Sequence, residues 1–232
     1  MRAKFICLCA GLAFLSAVFN ATGQTADPVA GSDTNRPALA LVILYDGSGS
    51  MRNKVPDVRG EPTPKFVLAN NAVITIAQKI QDYCTNKHVT IDAGLVYFTS
   101  AKVKVGIPFG TFNAPAFQDW ARNFQSPEGG TPLGEGIKAA NRMLSKSHAI
   151  KKHILIVTDG ESNQGATPQD VLRQMQVRQD LTSVYFVAFD VSAQVFNPVK
   201  DLGATVVSAS NELQLKTQID GLLGKKILLE AE

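Results

Sequence analysis

Three short segments of this 232-residue chain gather oxygen-bearing side chains among glycines. The first is Asp46-Gly47-Ser48-Gly49-Ser50, in which a carboxylate and two hydroxyls alternate with glycine. Glycine lets a loop curl tightly, so these oxygens can converge. The second, Gly129-Gly130-Thr131-Pro132, offers the Thr131 hydroxyl. The third, Thr158-Asp159-Gly160-Glu161, offers the Asp159 carboxylate. Oxygen donors without thiolate or imidazole suit a hard cation such as Mg²⁺, with Mn²⁺ or Ca²⁺ as alternatives. Two aspartates would balance a dication. Three hydroxyls would add ligands without adding charge. Asp46 and its neighbours taken alone would read as a turn. Three separate oxygen-bearing loops favour a shared cation.

Enzymatic readings find less support. Ser48 as a nucleophile, or the cation as a Lewis acid, would make a metal-dependent hydrolase or phosphatase. Yet Gly47-Ser48-Gly49 is not a G-x-S-x-G elbow. No histidine is placed by sequence to activate Ser48, and no glycine-rich phosphate loop ends in Lys-Ser or Lys-Thr. His88, His148 and His153 lack zinc-ligand spacing. The chain is therefore expected not to be an enzyme.

The elements that must hold these loops are legible in the pattern. Ala38–Tyr45 is a continuous apolar run, as are Ile154–Val157 and Val184–Phe189, with a weaker one at Thr205–Val207. Such runs suit strands of a parallel sheet buried on both faces. Thr63-Pro64 reads as an N-cap with proline at the first helical position. Phe66, Val73, Ala77, Ile80 and Cys84 then recur at helical spacing, which makes Cys84 a core residue. Leu133, Ile137, Ala140 and Leu144 mark a second helix. Thr167-Pro168 opens a third, and Leu215, Ile219, Leu222 and Leu223 mark the last. Val89–Tyr97 and Val103–Ile107 alternate about a tight turn, a hairpin whose second strand is antiparallel. Lys102 and Lys104 would guard that edge. The sum is an α/β fold: an open, mostly parallel sheet with one antiparallel edge strand and helices on both faces. Ligands of such sheets bind beyond the carboxyl ends of the strands.

Asp46-Gly-Ser-Gly-Ser-Met51, Gly129-Gly-Thr-Pro-Leu-Gly-Glu-Gly-Ile137 and Ile156-Val-Thr-Asp-Gly-Glu-Ser162 together resemble the von Willebrand factor type A (vWA) domain family. The resemblance covers roughly Pro37 to the last helix. It implies a Rossmann-like fold carrying a metal-ion-dependent adhesion site. Asp46, Ser48 and Ser50 would be ligands from the first loop, Thr131 from the second and Asp159 from the third, often through water. All five positions hold the expected residue type. The resemblance also implies that a carboxylate of a protein or peptide partner fills the open coordination position. A subunit whose metal only stabilises the fold is the remaining alternative.

Composition bounds the partners further. Hydrophobic residues make up 45%, enough for a sizeable core, and the net charge of +3 is too balanced to expect nucleic-acid binding. Arg2 and Lys4 precede an apolar run from Phe5 to Phe19, which reads as a signal peptide over residues 1–23. Fifteen apolar residues are short for a membrane span, which favours a signal over an uncleaved membrane anchor, and the mature chain is expected to carry no span. Residues 24–36 read as a flexible leader and 37–232 as the vWA-like domain. Only Cys84 follows the signal, so no disulfide is expected, and an exported protein of the bacterial periplasm or beyond fits best.

The surroundings of the three loops are less distinctive. Glu161, Glu128, Arg52 and Asn163 could contact a partner around the metal, but read first as solvated loop residues. Asn53–Thr63 suits either a rim to the site or a plain variable loop. Trp120 reads as packing. Arg142, Lys146, Lys151 and Lys152 cluster at the end of the sheet away from the three loops; a basic patch for an acidic surface is one reading, and interaction with the helix C-terminal dipole is the default.

Overall fold

A computed structural model describes residues 36–100 and 102–231 of the chain. The expected signal peptide, and the leader up to Asn35, lie outside the described residues.

The apolar runs become strands of a six-stranded sheet. These are β1 (Leu39–Asp46), β4 (Ile91–Thr99), β5 (Lys102–Thr111), β6 (Lys151–Thr158), β7 (Thr182–Phe189) and β8 (Thr205–Ala209), in the order β5-β4-β1-β6-β7-β8. All neighbours run parallel except β4 and β5. Every residue of β1 is buried, as a central strand covered on both faces requires. Lys102 and Lys104 are exposed on the antiparallel edge strand β5.

Alternation along β1 divides the core into two layers. Leu39, Leu41, Ile43 and Tyr45 pack against α1 (Lys65–Lys87), α2 (Ala114–Asn123) and α6 (Glu212–Leu222). Ala40, Val42 and Leu44 face α3 (Leu133–Leu144), α4 (Pro168–Val177) and α5 (Asn197–Lys200). The chain leaves β1 through α1 to reach β4 on one side, and returns through α3 to β6 on the other. Strand order therefore reverses at β1, and the crevice at its carboxyl end is the topological switch point.

Two expectations need correction. Thr63 does not cap α1; Pro64 occupies the N-cap position without a side-chain bond. The reason is that Asn53–Thr63 is not an irregular loop. Lys54–Pro56 (β2) and Pro62–Pro64 (β3) pair as a small antiparallel ribbon, with Thr63 opposite Val55. The backbone N–H of Lys65 donates to Asn53 O at 2.8 Å, so the ribbon itself delivers the chain into α1. Thr167 does cap α4, accepting from Asp170 N at 3.2 Å.

Trp120, on α2, serves packing as expected. It stacks on Phe124 and meets Tyr45 and Tyr97 edge-on, with centroids 5.1 to 5.4 Å away. Cys84 is a half-buried free thiol on the inner side of α1.

Candidate metal centre

Asp46 closes β1 and is fully buried. Its Oδ1 accepts from Ser48 N at 2.8 Å, and its Oδ2 accepts from the Thr158 hydroxyl at 2.6 Å. Burial raises its pKa to about 6, and the nearby Asp159 charge adds to the rise; the Ser48 and Thr158 hydrogen bonds oppose it. The carboxylate is thus rigid, dry and short of positive charge.

The first loop turns over at once. Gly47 N donates to Phe98 O at 2.9 Å, and a Cβ at Gly47 would fall 2.6 Å from that oxygen. Only glycine fits so close to the backbone of β4. Ser48 is buried and Ser50 exposed, with their Oγ atoms 3.0 Å apart. Ser50 then donates to Asp159 Oδ1 at 2.7 Å. The first and third loops are joined directly through these oxygens.

The second loop is fastened to the first by backbone. Glu128 N donates to Gly47 O at 2.8 Å, and Gly49 N donates to Gly129 O at 3.0 Å. Gly129 has φ +76°, which explains the first glycine of the pair. Thr131 is buried, and its hydroxyl stands 3.7 Å from where a Cβ on Gly160 would lie. Asp46, Ser48, Ser50 and Asp159 therefore meet at the carboxyl ends of β1 and β6, with the Thr131 hydroxyl beside Gly160 of the third loop.

Arg52, Glu128, Glu161 and Asn163 are all exposed, as expected of solvated loop residues, and three of them also fasten the loops together. Asn163 Oδ1 accepts from Thr131 N at 2.7 Å, while Asn163 N donates to Thr131 O at 3.1 Å. This two-way clasp holds the second loop against the third. Arg52 Nε donates to Pro127 O at 2.6 Å, and Glu128 accepts from the Ser100 hydroxyl. Glu161 stays exposed.

Sequence reasoning missed three residues. Thr158 orients Asp46. Lys65, in the first turn of α1, is buried, with Nζ 2.7 Å from Asp159 Oδ2. Asp190, just past β7 with φ +54°, lies 3.1 Å from the same ammonium. A cation near a helix N-terminus opposes the helix dipole. Lysine in a first turn was thus the available sign that carboxylates wait nearby.

The donor set fits a hard divalent ion. Among the described residues no group of three or more His, Cys, Asp or Glu could hold a metal, so hydroxyls would have to share the work. Oxygens on adjacent corners of an octahedron about 2.1 Å from Mg²⁺ lie about 3.0 Å apart. Ser48 Oγ and Ser50 Oγ lie 3.0 Å apart, at that spacing, and Ser50 Oγ lies at hydrogen-bond distance, 2.7 Å, from Asp159 Oδ1.

A doubly covered α/β sheet with oxygen-lined loops at its switch point defines the class. The von Willebrand factor type A domain family matches residues 40–217, and the chain belongs to that family. No curated protein matches the sequence. Among solved structures, the chain is similar to the PilB minor pilin from Streptococcus sanguinis. That match has a TM-score of 0.67 and 15% identity, and covers 89% of this chain and 64% of that one. It is also similar to the vWF domain of the type V pili tip protein Mfa5 from Porphyromonas gingivalis. There the TM-score is 0.62 and the identity 13%, over 85% and 97% of the two chains. Proximal thread matrix protein 1 from the mussel byssus, with a zinc-occupied MIDAS motif, gives a TM-score of 0.61 at 17% identity, covering 80% and 47%. This chain thus spans less than two thirds of the pilin and about half of the mussel protein. At such identities the likeness establishes the fold.

Proposed function

We propose that this protein is an exported, adhesion-type binding module that grips a partner carboxylate through a divalent cation. Asp46, Ser48, Ser50, Thr131 and Asp159 are its metal ligands, and Mg²⁺ is the ion the oxygen set suits best. The observation that carries this reading is the convergence of oxygens from Ser48 through Ser50 to Asp159, each within 3.0 Å of the next, beside the buried Asp46. When bound, the ion supplies a Lewis-acidic position for an outside oxygen. The chain's own residues do the rest. Thr158 and Ser48 N fix the Asp46 carboxylate, and Asn163 fixes the Thr131 loop.

The pilus-associated neighbours agree with an adhesive role outside the cytoplasm, and the basic-then-apolar start of the chain supplies an export signal. Among the described residues no helix is long and apolar enough to cross a membrane. The partner is a protein or peptide with an exposed Asp or Glu.

A peptide array tests this reading. Retention of Asp- and Glu-containing peptides in Mg²⁺, lost in EDTA, with Asp46→Ala and for the Asn and Gln counterparts, is the expected result. Retention indifferent to all three would overturn it.

A further inference from the structure

The Asp159 carboxylate is divided between two sides. Its Oδ1 faces the Ser50 hydroxyl, and its Oδ2 faces Lys65 Nζ at 2.7 Å. The lysine side chain is only 4% exposed, so water screens its charge poorly. Its second partner, Asp190, is 42% exposed and lies outside the five proposed ligands. Lys65 is therefore a fixed positive charge wedged between a proposed metal ligand and a carboxylate at the end of the neighbouring strand.

We propose that Lys65 and Asp190 set the cation affinity of the centre, with Lys65 acting as an internal competitor for Asp159 and Asp190 drawing it off. The inference rests on the metal-binding reading above and adds to it a regulation of the same site. An ion on Asp159 Oδ1 shares one carboxylate with the Lys65 ammonium and repels it across a poorly screened distance. Asp190 offsets that repulsion by holding the ammonium toward β7. Two aspartates and a dication are neutral together, as are Lys65 and Asp190. Altering either member of the second pair tips the balance in a known direction. Losing Lys65 also removes a support of Asp159, but that support is one contact. The repulsion between a buried ammonium and a dication is the larger effect.

The consequence is a pair of opposite shifts. Lys65→Met leaves three carboxylates around the ion and tightens Mg²⁺ binding at least ~10-fold, about 1.4 kcal/mol. Asp190→Asn leaves the ammonium to Asp159 alone and weakens binding several-fold; asparagine keeps the left-handed backbone available. The double variant restores the original charge and returns toward wild-type affinity. A purely structural role would weaken binding in every variant, so the sign separates the two explanations.

Calorimetric titration of Mg²⁺ into the full chain and its three variants is the test. Melting temperatures in EDTA and in saturating Mg²⁺ run alongside. Lys65→Met should melt lower than wild type in EDTA and gain more from Mg²⁺. Lys65→Gln carries the same charge test if the methionine variant does not fold. Affinity unchanged or reduced in the lysine variants, or raised in Asp190→Asn, overturns the inference while wild-type binding leaves the metal centre standing. Absence of Mg²⁺ binding in wild type and all variants removes the metal-centre reading and this inference together. Binding confined to the lysine variants would be its strongest support.

Discussion

The Thr158 hydroxyl donates to Asp46 Oδ2 at 2.6 Å, from the end of β6 to the end of β1. Both side chains are fully buried. The bond links the two strands that flank the switch point and locks the carboxylate on which the centre turns. A hydrogen bond to a charged group contributes roughly 1.5–3 kcal/mol. Thr158→Val keeps the shape and removes that bond. Mg²⁺ affinity should fall about tenfold in a calorimetric titration. Unchanged affinity would show that Asp46 needs no such support.

Asn163 gives a milder test, because its two bonds hold Thr131 by the backbone and not by the hydroxyl. Asn163→Ala should lower stability by about 1 kcal/mol, the usual worth of such a bond. Mg²⁺ affinity should fall several-fold as the Thr131 loop loosens. Urea denaturation with and without Mg²⁺ measures both effects.

Gly134 lies within α3, where glycine ordinarily costs a helix about 1 kcal/mol against alanine. Propensity alone would make Gly134→Ala stabilising. A Cβ there would stand 2.0 Å from Ala166 O, a backbone atom of the segment between the third loop and α4. The clash outweighs the gain, and a loss on the order of 3 kcal/mol is expected from such overpacking. Urea denaturation should show a lower midpoint; a raised one would contradict the packing described.

His153 should weaken the fold in acid. It is fully buried beside Tyr185, with ring centroids 5.9 Å apart, and neither ring nitrogen has a hydrogen-bond partner among the described residues. Burial pushes its pKa from 6.5 down to about 4, against the pull of Glu230 and with a small push from Lys151. The unfolded chain takes up this proton near pH 6.5, but the folded chain only near 4. Stability from this group is therefore full above pH 6.5 and falls as pH drops toward 4, by at most about 3 kcal/mol. Asp46 works in the opposite sense, since its raised pKa favours the folded chain as it is protonated. The difference between wild type and His153→Phe isolates the histidine. Denaturation curves in EDTA from pH 7 to 4 should show a shallower loss in the variant. Parallel losses would contradict the assignment.

The sequence carried the sheet because its strands are buried on both faces, and an uninterrupted run such as Leu39–Tyr45 has few other uses. It carried the five candidate oxygen-bearing residues because they stand among glycines in loops at strand and helix ends. It did not carry the β2–β3 ribbon, whose six residues include three prolines and no apolar alternation. Nor did it carry the partners across the fold. Asn163 reads as an ordinary polar loop residue until Thr131 is seen opposite it. Lys65 and Asp190 are 125 positions apart in the chain, and only the turn of α1 over the ends of β6 and β7 joins them. Polar residues at strand ends, such as Thr158 and Asp190, are the signal a sequence reading should weigh more heavily.

Occupation of these loops by a divalent cation can be read most directly from a thermal melt of the protein. Wild type and Asp46→Ala would be compared in EDTA, Mg²⁺, Mn²⁺ and Ca²⁺. A ligand bound only by the folded chain raises the midpoint, by about 2.7 kcal/mol of added stability at a hundredfold excess over Kd. A metal-dependent rise in wild type that vanishes in Asp46→Ala is the predicted result. Equal midpoints in EDTA and in every metal, for both proteins, would contradict the metal centre and leave only the fold.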